Sequence, residues 1–521
     1  MVGVVDLPEK VLKNLYSRIL PQWRVCFISA VIAGFAAHLY KMLNWTPNWD
    51  SLVFRYDSQN MLRLGRWFLA VVCAPGSFYE LPWLNGLLAV IYHALGAVCI
   101  CKMFNVEKNV TAALTGAAVV TFPTVTSVMM YGYVADGYAL SFFLACMAAA
   151  VLTGKKPRYA AAAILIMLST AIYQAYVTVT VMLILLYLIN ELVFGEKSTA
   201  DILKSTLKFL ASGAVGMALY YAVMLILLKI TGETLLEYQG VNSAMSWSDM
   251  DLPGSLYVIK HTLVSSFFVE TDKVSVFTAI NSVIFVLTAV MYAACAAVKK
   301  IYTKPGRLVL LTVYTVLLPV GAALPALINP GIDYHNLMRM GYFVFYLFFI
   351  LMYEKTVLPK SRLHNVKAWT VLAVGAVLIF DCTVIANVSY HKLQMAYEKS
   401  FGTLIRIADR IEQTENSENC SDILVIGALP GSEAHSVNLP PDMTGTTDSY
   451  ILRADDESVG QSVLCSAIND YCGKSYRFVS GDKKREMLKT DAVKEMDFWP
   501  GKNSVAVTEG IIVIKLGAES E

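Results

Sequence analysis

The chain has 521 residues, 56% of them hydrophobic and 16% charged, with 42 basic against 40 acidic side chains and a formal net charge of +2. Soluble domains carry about 25% charged residues, which argues against an ordinary soluble enzyme, and a balanced charge without a basic stripe excludes a nucleic-acid binder. Residues 1–390 hold 28 Lys/Arg and 19 Asp/Glu, whereas the remainder holds 14 and 21. That contrast predicts two parts: a membrane-embedded helical body over 1–390 and a small α/β domain over 391–521.

Apolar stretches near twenty residues cross the hydrocarbon layer as helices, because only a helix satisfies its own backbone groups in lipid. Eleven are predicted, at roughly 23–43, 82–101, 110–128, 134–153, 159–175, 176–194, 207–230, 276–298, 308–328, 337–353 and 368–388. The long run from Arg158 to Phe194 is divided at Tyr173-Gln174-Ala175-Tyr176. Lys and Arg near spans stay in the cytoplasm, and with an inner N-terminus the inner segments hold 18 of them against five in the outer loops. The expected topology is therefore an inner N-terminus, outer loops at 44–81 and 231–275, and an outer C-terminal domain. The first span lacks a small-residue cleavage site and reads as a retained anchor. Within the second loop, Leu256 to Val269 is amphipathic and suited to the membrane surface.

The C-terminal part predicts a helix over Lys392–Gln413, a buried strand Asp422–Gly427 and a helix around Gly460–Cys472. A short strand at Tyr476–Val479, a helix over Lys483–Met496 and a hairpin over Ser504–Leu516 turning at Glu509-Gly510 follow. Cys420, Cys465 and Cys472 lie in this part. A bridge from Cys420 to either of the others and three free thiols are both open, while Cys465 and Cys472 are too far apart along one helix to pair.

The densest polar cluster is the first outer loop, with Asn48-Trp49-Asp50, Arg55-Tyr56-Asp57 and Arg63-Leu64-Gly65-Arg66-Trp67. Its charges could simply face water beside an aromatic belt; alternatively, a carboxylate serves as general base while arginines hold a phosphate. Asp136 lies in the first turn of the fourth span, either as a helix-dipole cap or as part of a site. Tyr173, Gln174 and Tyr176 could bind sugar hydroxyls or anchor the interface. Arg339, one turn into the tenth span, either snorkels outward or meets a lipid-linked phosphate. His93 is expected in a helix–helix hydrogen bond. No HExxH, CxxC, P-loop or GxSxG pattern occurs, and carboxylates at membrane depth are not expected.

Asn48-Trp49-Asp50, Gly65-Arg66-Trp67, Ala135-Asp136-Gly137-Tyr138 and Tyr173-Gln174, in this order along the chain, resemble the GtrII-type glucosyltransferases, as does Phe498-Trp499-Pro500-Gly501 near the end. The resemblance implies a GT-C-like polytopic bacterial enzyme of the cytoplasmic membrane, moving glucose from a polyprenyl-phosphate carrier to a cell-surface glycan outside. It makes Asp50 the general base, with Asp57 the alternative. Arg66, Arg339 and Arg63 become candidates for the donor phosphate, and Asp136, Tyr173, Gln174 and Trp67 for the sugar or acceptor. The loop has no Asp-Asp or Asp-x-Asp pair, so no metal or other cofactor is expected beyond the lipid-linked donor. A lipid-linked saccharide flippase and a non-catalytic envelope assembly protein are the rival readings.

Overall fold

The computed structural model describes all residues except 1–6, 54–56, 59, 237–250, 269–275, 332–333, 356–361, 430–456 and 519–521. Arg55, Tyr56, the end of the amphipathic stretch at Val269, and the turn residues Pro430 and Gly431 lie outside the described residues.

In chain order, α1 (Leu7–Ser17) precedes α2 (Pro21–Leu43), the short α3 (Trp49–Val53) and α4 (Trp67–Cys73). Then come α5 (Pro82–Met103), α6 (Asn109–Thr121), α7 (Pro123–Met130), α8 (Ala135–Thr153), α9 (Tyr159–Ile172) and α10 (Val177–Val193). The helices α11 (Thr199–Thr231), α12 (Leu252–Phe267), α13 (Phe277–Val298), α14 (Pro305–Ala322), α15 (Leu324–Ile328), α16 (Phe343–Lys355) and α17 (Arg362–Glu412) complete the helical run. Beyond it lie β1 (Asp422–Ile426), α18 (Glu457–Cys472), β2 (Arg477–Phe478), α19 (Gly481–Met487), α20 (Asp491–Lys494), β3 (Val505–Thr508) and β4 (Ile511–Lys515).

Among the described residues nine helices are long and apolar enough to cross a membrane, or ten if one bent pair is a single span, rather than the expected eleven. This is a multi-pass membrane protein, and two departures have plain causes. The stretch 110–128 is not one straight span: it bends by 40° between α6 and α7. Pro123 forces Phe122 out of the helical region, to φ −53° and ψ 136°. The predicted break at Tyr173–Tyr176 is present, with Tyr173 extended and a 3-10 turn over Gln174–Tyr176 leading into α10. It leaves α9 only 14 residues long, however, short of a full crossing.

Two expectations inside the spans are corrected. The His93 hydrogen bond stays within its own helix, its Nδ1 meeting the Ala89 carbonyl at 2.8 Å, while its ring stacks on Phe142 of α8 at 5.0 Å. A carboxylate does occur at membrane depth, because Asp381 is buried in α17 within electrostatic reach of Tyr346. The Tyr346 hydroxyl donates to the Asn281 side-chain oxygen at 2.6 Å, so other polar side chains occur in the same packed region. A single Asp is invisible to hydropathy when twenty neighbours are apolar.

By packing, the chain forms two units, one of residues 1–44 and 56–387 and one of 45–55 and 388–521. In the first, α5 packs on α2 and α8, α2 on α6, and α9 on α8 and α11. In the second, a four-stranded sheet has the order β2-β1-β4-β3, with β1 parallel to β2 and β4 and β3 antiparallel to β4. Glu509 and Gly510, both at positive φ, make the β3–β4 turn, which suits the twist of a two-residue hairpin. Leu424, Ile426, Ile511 and Val513 bury one sheet face against Val479, Met487, Val493 and Met496. The helix expected over Lys483–Met496 is broken into α19 and α20, because Thr490 turns extended and its hydroxyl bonds back to the Met487 carbonyl. The helix expected from Lys392 is the continuation of α17. Cys420, Cys465 and Cys472 are free thiols.

Candidate functional site

The Gly65-Arg66-Trp67 motif ends a tight turn and starts α4. Gly65 has φ +74°, and an added Cβ would lie 2.6 Å from the Tyr220 hydroxyl and 3.0 Å from the Gln174 amide nitrogen. Both groups are there because the backbone recruits them. Gln174 Nε2 donates to the Leu64 carbonyl at 2.8 Å, and the Tyr220 hydroxyl donates to the Gly65 carbonyl at 3.1 Å. Gly is required here for conformation and for close approach together.

The turn so held presents Arg66. One terminal nitrogen of its guanidinium donates to the Tyr138 hydroxyl at 3.1 Å, and its carbon lies 5.2 Å from the centre of the Tyr173 ring. Tyr138 and Tyr173 are stacked, with ring centres 4.4 Å apart and planes 20° from parallel, and Tyr176 meets Tyr173 edge-on at 5.2 Å. Three motifs far apart in sequence thus share one part-buried cluster at the N-terminal ends of α4, α8 and α10. A cation over a tyrosine face is attracted by the ring quadrupole, which helps to fix the guanidinium.

Arg339 is carried by the 3-10 segment Asn336–Tyr342, which packs on the Gln174–Tyr176 turn following Tyr173, and its Nε donates to the Tyr334 carbonyl at 3.1 Å. Tyr334 is within electrostatic reach of both Arg339 and Tyr173. The Tyr334 hydroxyl donates to the Ala322 carbonyl at 2.6 Å, pinning this segment to the end of α14.

Asp136 is buried in the first turn of α8, where its Oδ1 accepts from Asn85 Nδ2 at 2.8 Å. Asn85 is itself oriented, since its Oδ1 accepts from the Leu81 N–H at 2.9 Å. Next to Leu81, Glu80 forms an ion pair with Lys41 at 3.1 Å, with both side chains more than 90% buried. Gly132 packs directly on the Glu80 carboxylate, leaving no room for a Cβ. Sequence reading missed Asn85, Lys41, Glu80 and Tyr220. Only Glu80 carried a signal, as an acidic residue directly before an apolar span.

The Arg63 guanidinium is engaged by Glu233 at 3.4 Å and the Thr234 carbonyl at 3.2 Å. Trp67 leans on Phe68 at 5.8 Å and packs on the group of Ala171, Met224 and Tyr220, the residue whose hydroxyl holds Gly65. Asp57 is exposed and accepts from the Ser58 hydroxyl at 3.2 Å. Asp50 belongs to the second unit, in the first turn of the half-buried α3. There Asn48 explains its place in the motif, since its Oδ1 accepts from both the N–H and the hydroxyl of Ser51 at 2.9 Å, capping α3.

Compared with known proteins, residues 39–352 match a family model described as Glucosyl transferase GtrII. The matched region contains Asp50, Arg66, Asp136, Tyr173, Gln174 and Arg339. No curated protein and no solved structure matches the chain.

Proposed function

The chain belongs to the GtrII glucosyl transferase family, and from that premise we propose that it transfers a hexose, glucose by family, from a polyprenyl-phosphate carrier to a cell-surface glycan at the outer face of a bacterial cytoplasmic membrane. The observation that carries this reading is Arg66 held over the Tyr173 ring, with Arg339 on the 3-10 segment that packs against the adjoining Gln174–Tyr176 turn. Two guanidiniums among tyrosine rings at the ends of membrane helices suit a lipid-linked phosphate, which needs bidentate donors, and a sugar, which needs aromatic faces and amides. Asp136 and Gln174 supply the polar groups for hydroxyls.

In the proposed reaction, Asp50 takes the proton from the acceptor hydroxyl as its oxygen attacks the anomeric carbon. The bond to the carrier phosphate breaks on the opposite side, so the transfer is a single displacement. The leaving group is already a phosphate, so it requires charge neutralisation by Arg66 and Arg339 more than protonation. No metal is required in this scheme.

The roles separate experimentally. A general base contributes about 10²–10⁴ in rate, so Asp50→Asn is expected to lower turnover by that order with donor affinity intact. Arg66→Ala is expected to weaken donor binding. Normal turnover in the first variant removes Asp50 from the role, and unchanged donor affinity in the second removes Arg66.

A further inference from the structure

The segment that carries Asp50 belongs by packing to the unit of residues 45–55 and 388–521. Its contacts are specific. Trp45 meets Tyr397 edge-on at 5.8 Å and Tyr471 at 6.3 Å. Phe401, one turn beyond Tyr397 on α17, stacks on Tyr397 at 5.9 Å and meets Tyr471 edge-on at 5.2 Å. Four rings from three segments thus close on one another. The helix α3 packs on α18, the helix that ends in Tyr471-Cys472, and Thr46, Asn48, Ser51 and Leu52 are buried.

A five-residue helix has no stability of its own, because nucleating one turn costs more than it returns. The Asn48 cap and the aromatic box must therefore supply what α3 lacks. Trp45 and Asp50 lie within the residues matched by the family, whereas Tyr397, Phe401 and Tyr471 lie beyond its end at residue 352. A region outside the matched part thus packs on a segment inside it.

We propose that the C-terminal region positions the Asp50 segment through the box of Trp45, Tyr397, Phe401 and Tyr471, and that turnover depends on this hold. The proposal deepens the reading of Asp50 as general base and rests on it for its catalytic half. The four aromatics are positioning residues, since none of them is placed against substrate. Their role is to keep the carboxylate where it takes the proton of the attacking acceptor hydroxyl, and a misplacement of a reacting group by about 1 Å costs on the order of 100-fold in rate.

The test uses the full-length protein in lipid nanodiscs and two readouts, amide hydrogen exchange of residues 45–53 and steady-state transfer. Trp45→Ala and Tyr471→Ala are expected to accelerate exchange in 45–53 and lower kcat about 10- to 100-fold with donor KM unchanged. Tyr471→Phe, which keeps the ring, is expected to lie closer to wild type than Tyr471→Ala in both. Should Tyr471→Ala fail to fold, Tyr471→Leu takes its place with the same expectation. Unchanged exchange in 45–53 overturns the hold itself. Faster exchange with normal kcat, while Asp50→Asn is inactive, overturns its link to turnover. Faster exchange with normal kcat in both the box variants and Asp50→Asn overturns the base assignment and the dependence of turnover on the hold, while leaving the packing intact.

Discussion

Gly65→Ala tests the architecture of the arginine–tyrosine cluster with a single added methyl group. At φ +74° an alanine is held in the left-handed region at a cost of about 1–2 kcal/mol. Its Cβ would also sit 2.6 Å from the Tyr220 hydroxyl and 3.0 Å from Gln174 Nε2, so both must move. Their hydrogen bonds to the Gly65 and Leu64 carbonyls are then lost, at about 0.5–1.5 kcal/mol each. The expected destabilisation is about 2–5 kcal/mol, and Arg66, the next residue, loses its setting. Thermal unfolding in detergent followed by intrinsic fluorescence reads the first effect, and hexose transfer reads the second. Gly213→Ala in α11, with nothing within 4 Å, is the control and is expected to leave both unchanged. Tyr220→Phe added to Gly65→Ala removes the nearest atom of the overlap and is expected to recover part of the stability. A Gly65→Ala protein as stable and as active as wild type would refute the packing argument.

Arg66→Lys keeps the charge but not the planar fork over Tyr173, and is expected to raise donor KM nearly as much as Arg66→Ala, which a donor titration of both variants checks. Chelation with EDTA is expected to leave transfer unchanged; a loss restored by a divalent cation contradicts neutralisation by arginine alone. In the C-terminal region, hydrogen bonds from Lys483 and Arg477 hold the Asp422 carboxyl below its ordinary value of 3.8. A lowered folded pKa contributes stability above the unfolded value that is lost as pH falls through the folded one. Asp422→Asn is therefore expected to narrow the stability difference between about pH 6 and about pH 3, measured by denaturant unfolding at each pH.

The helical architecture was legible because the physics of lipid writes it in long apolar runs, and the break at Tyr173–Tyr176 was legible from polar residues inside one such run. The bend at Pro123 was present in the sequence too, but hydropathy averages over it. The hairpin at Glu509-Gly510 followed from local turn chemistry. The candidate site was legible only as separate motifs. Nothing in the spacing of Arg66, Tyr138 and Tyr173 says that they touch, because their contact is made by the packing of α4, α8 and α9. Asn85 and Lys41 were hidden for the same reason: each is unremarked near the end of its own helix and acquires a role only when another segment supplies the partner. Asp50 was visible as a motif residue, yet its association with the C-terminal region depends on Tyr397 and Tyr471, several hundred residues away.

The central claim is tested most directly by hexose transfer from a radiolabelled polyprenyl-phosphate glucose to cell-envelope glycan, using purified wild-type protein in proteoliposomes beside Asp50→Asn and Arg66→Ala. The expected result is transfer by wild type, loss of turnover in the first variant and loss of donor affinity in the second. Folded wild-type protein that transfers from neither this donor nor a panel of other polyprenyl-phosphate hexoses, or that moves the lipid-linked saccharide across the bilayer without transfer, contradicts it.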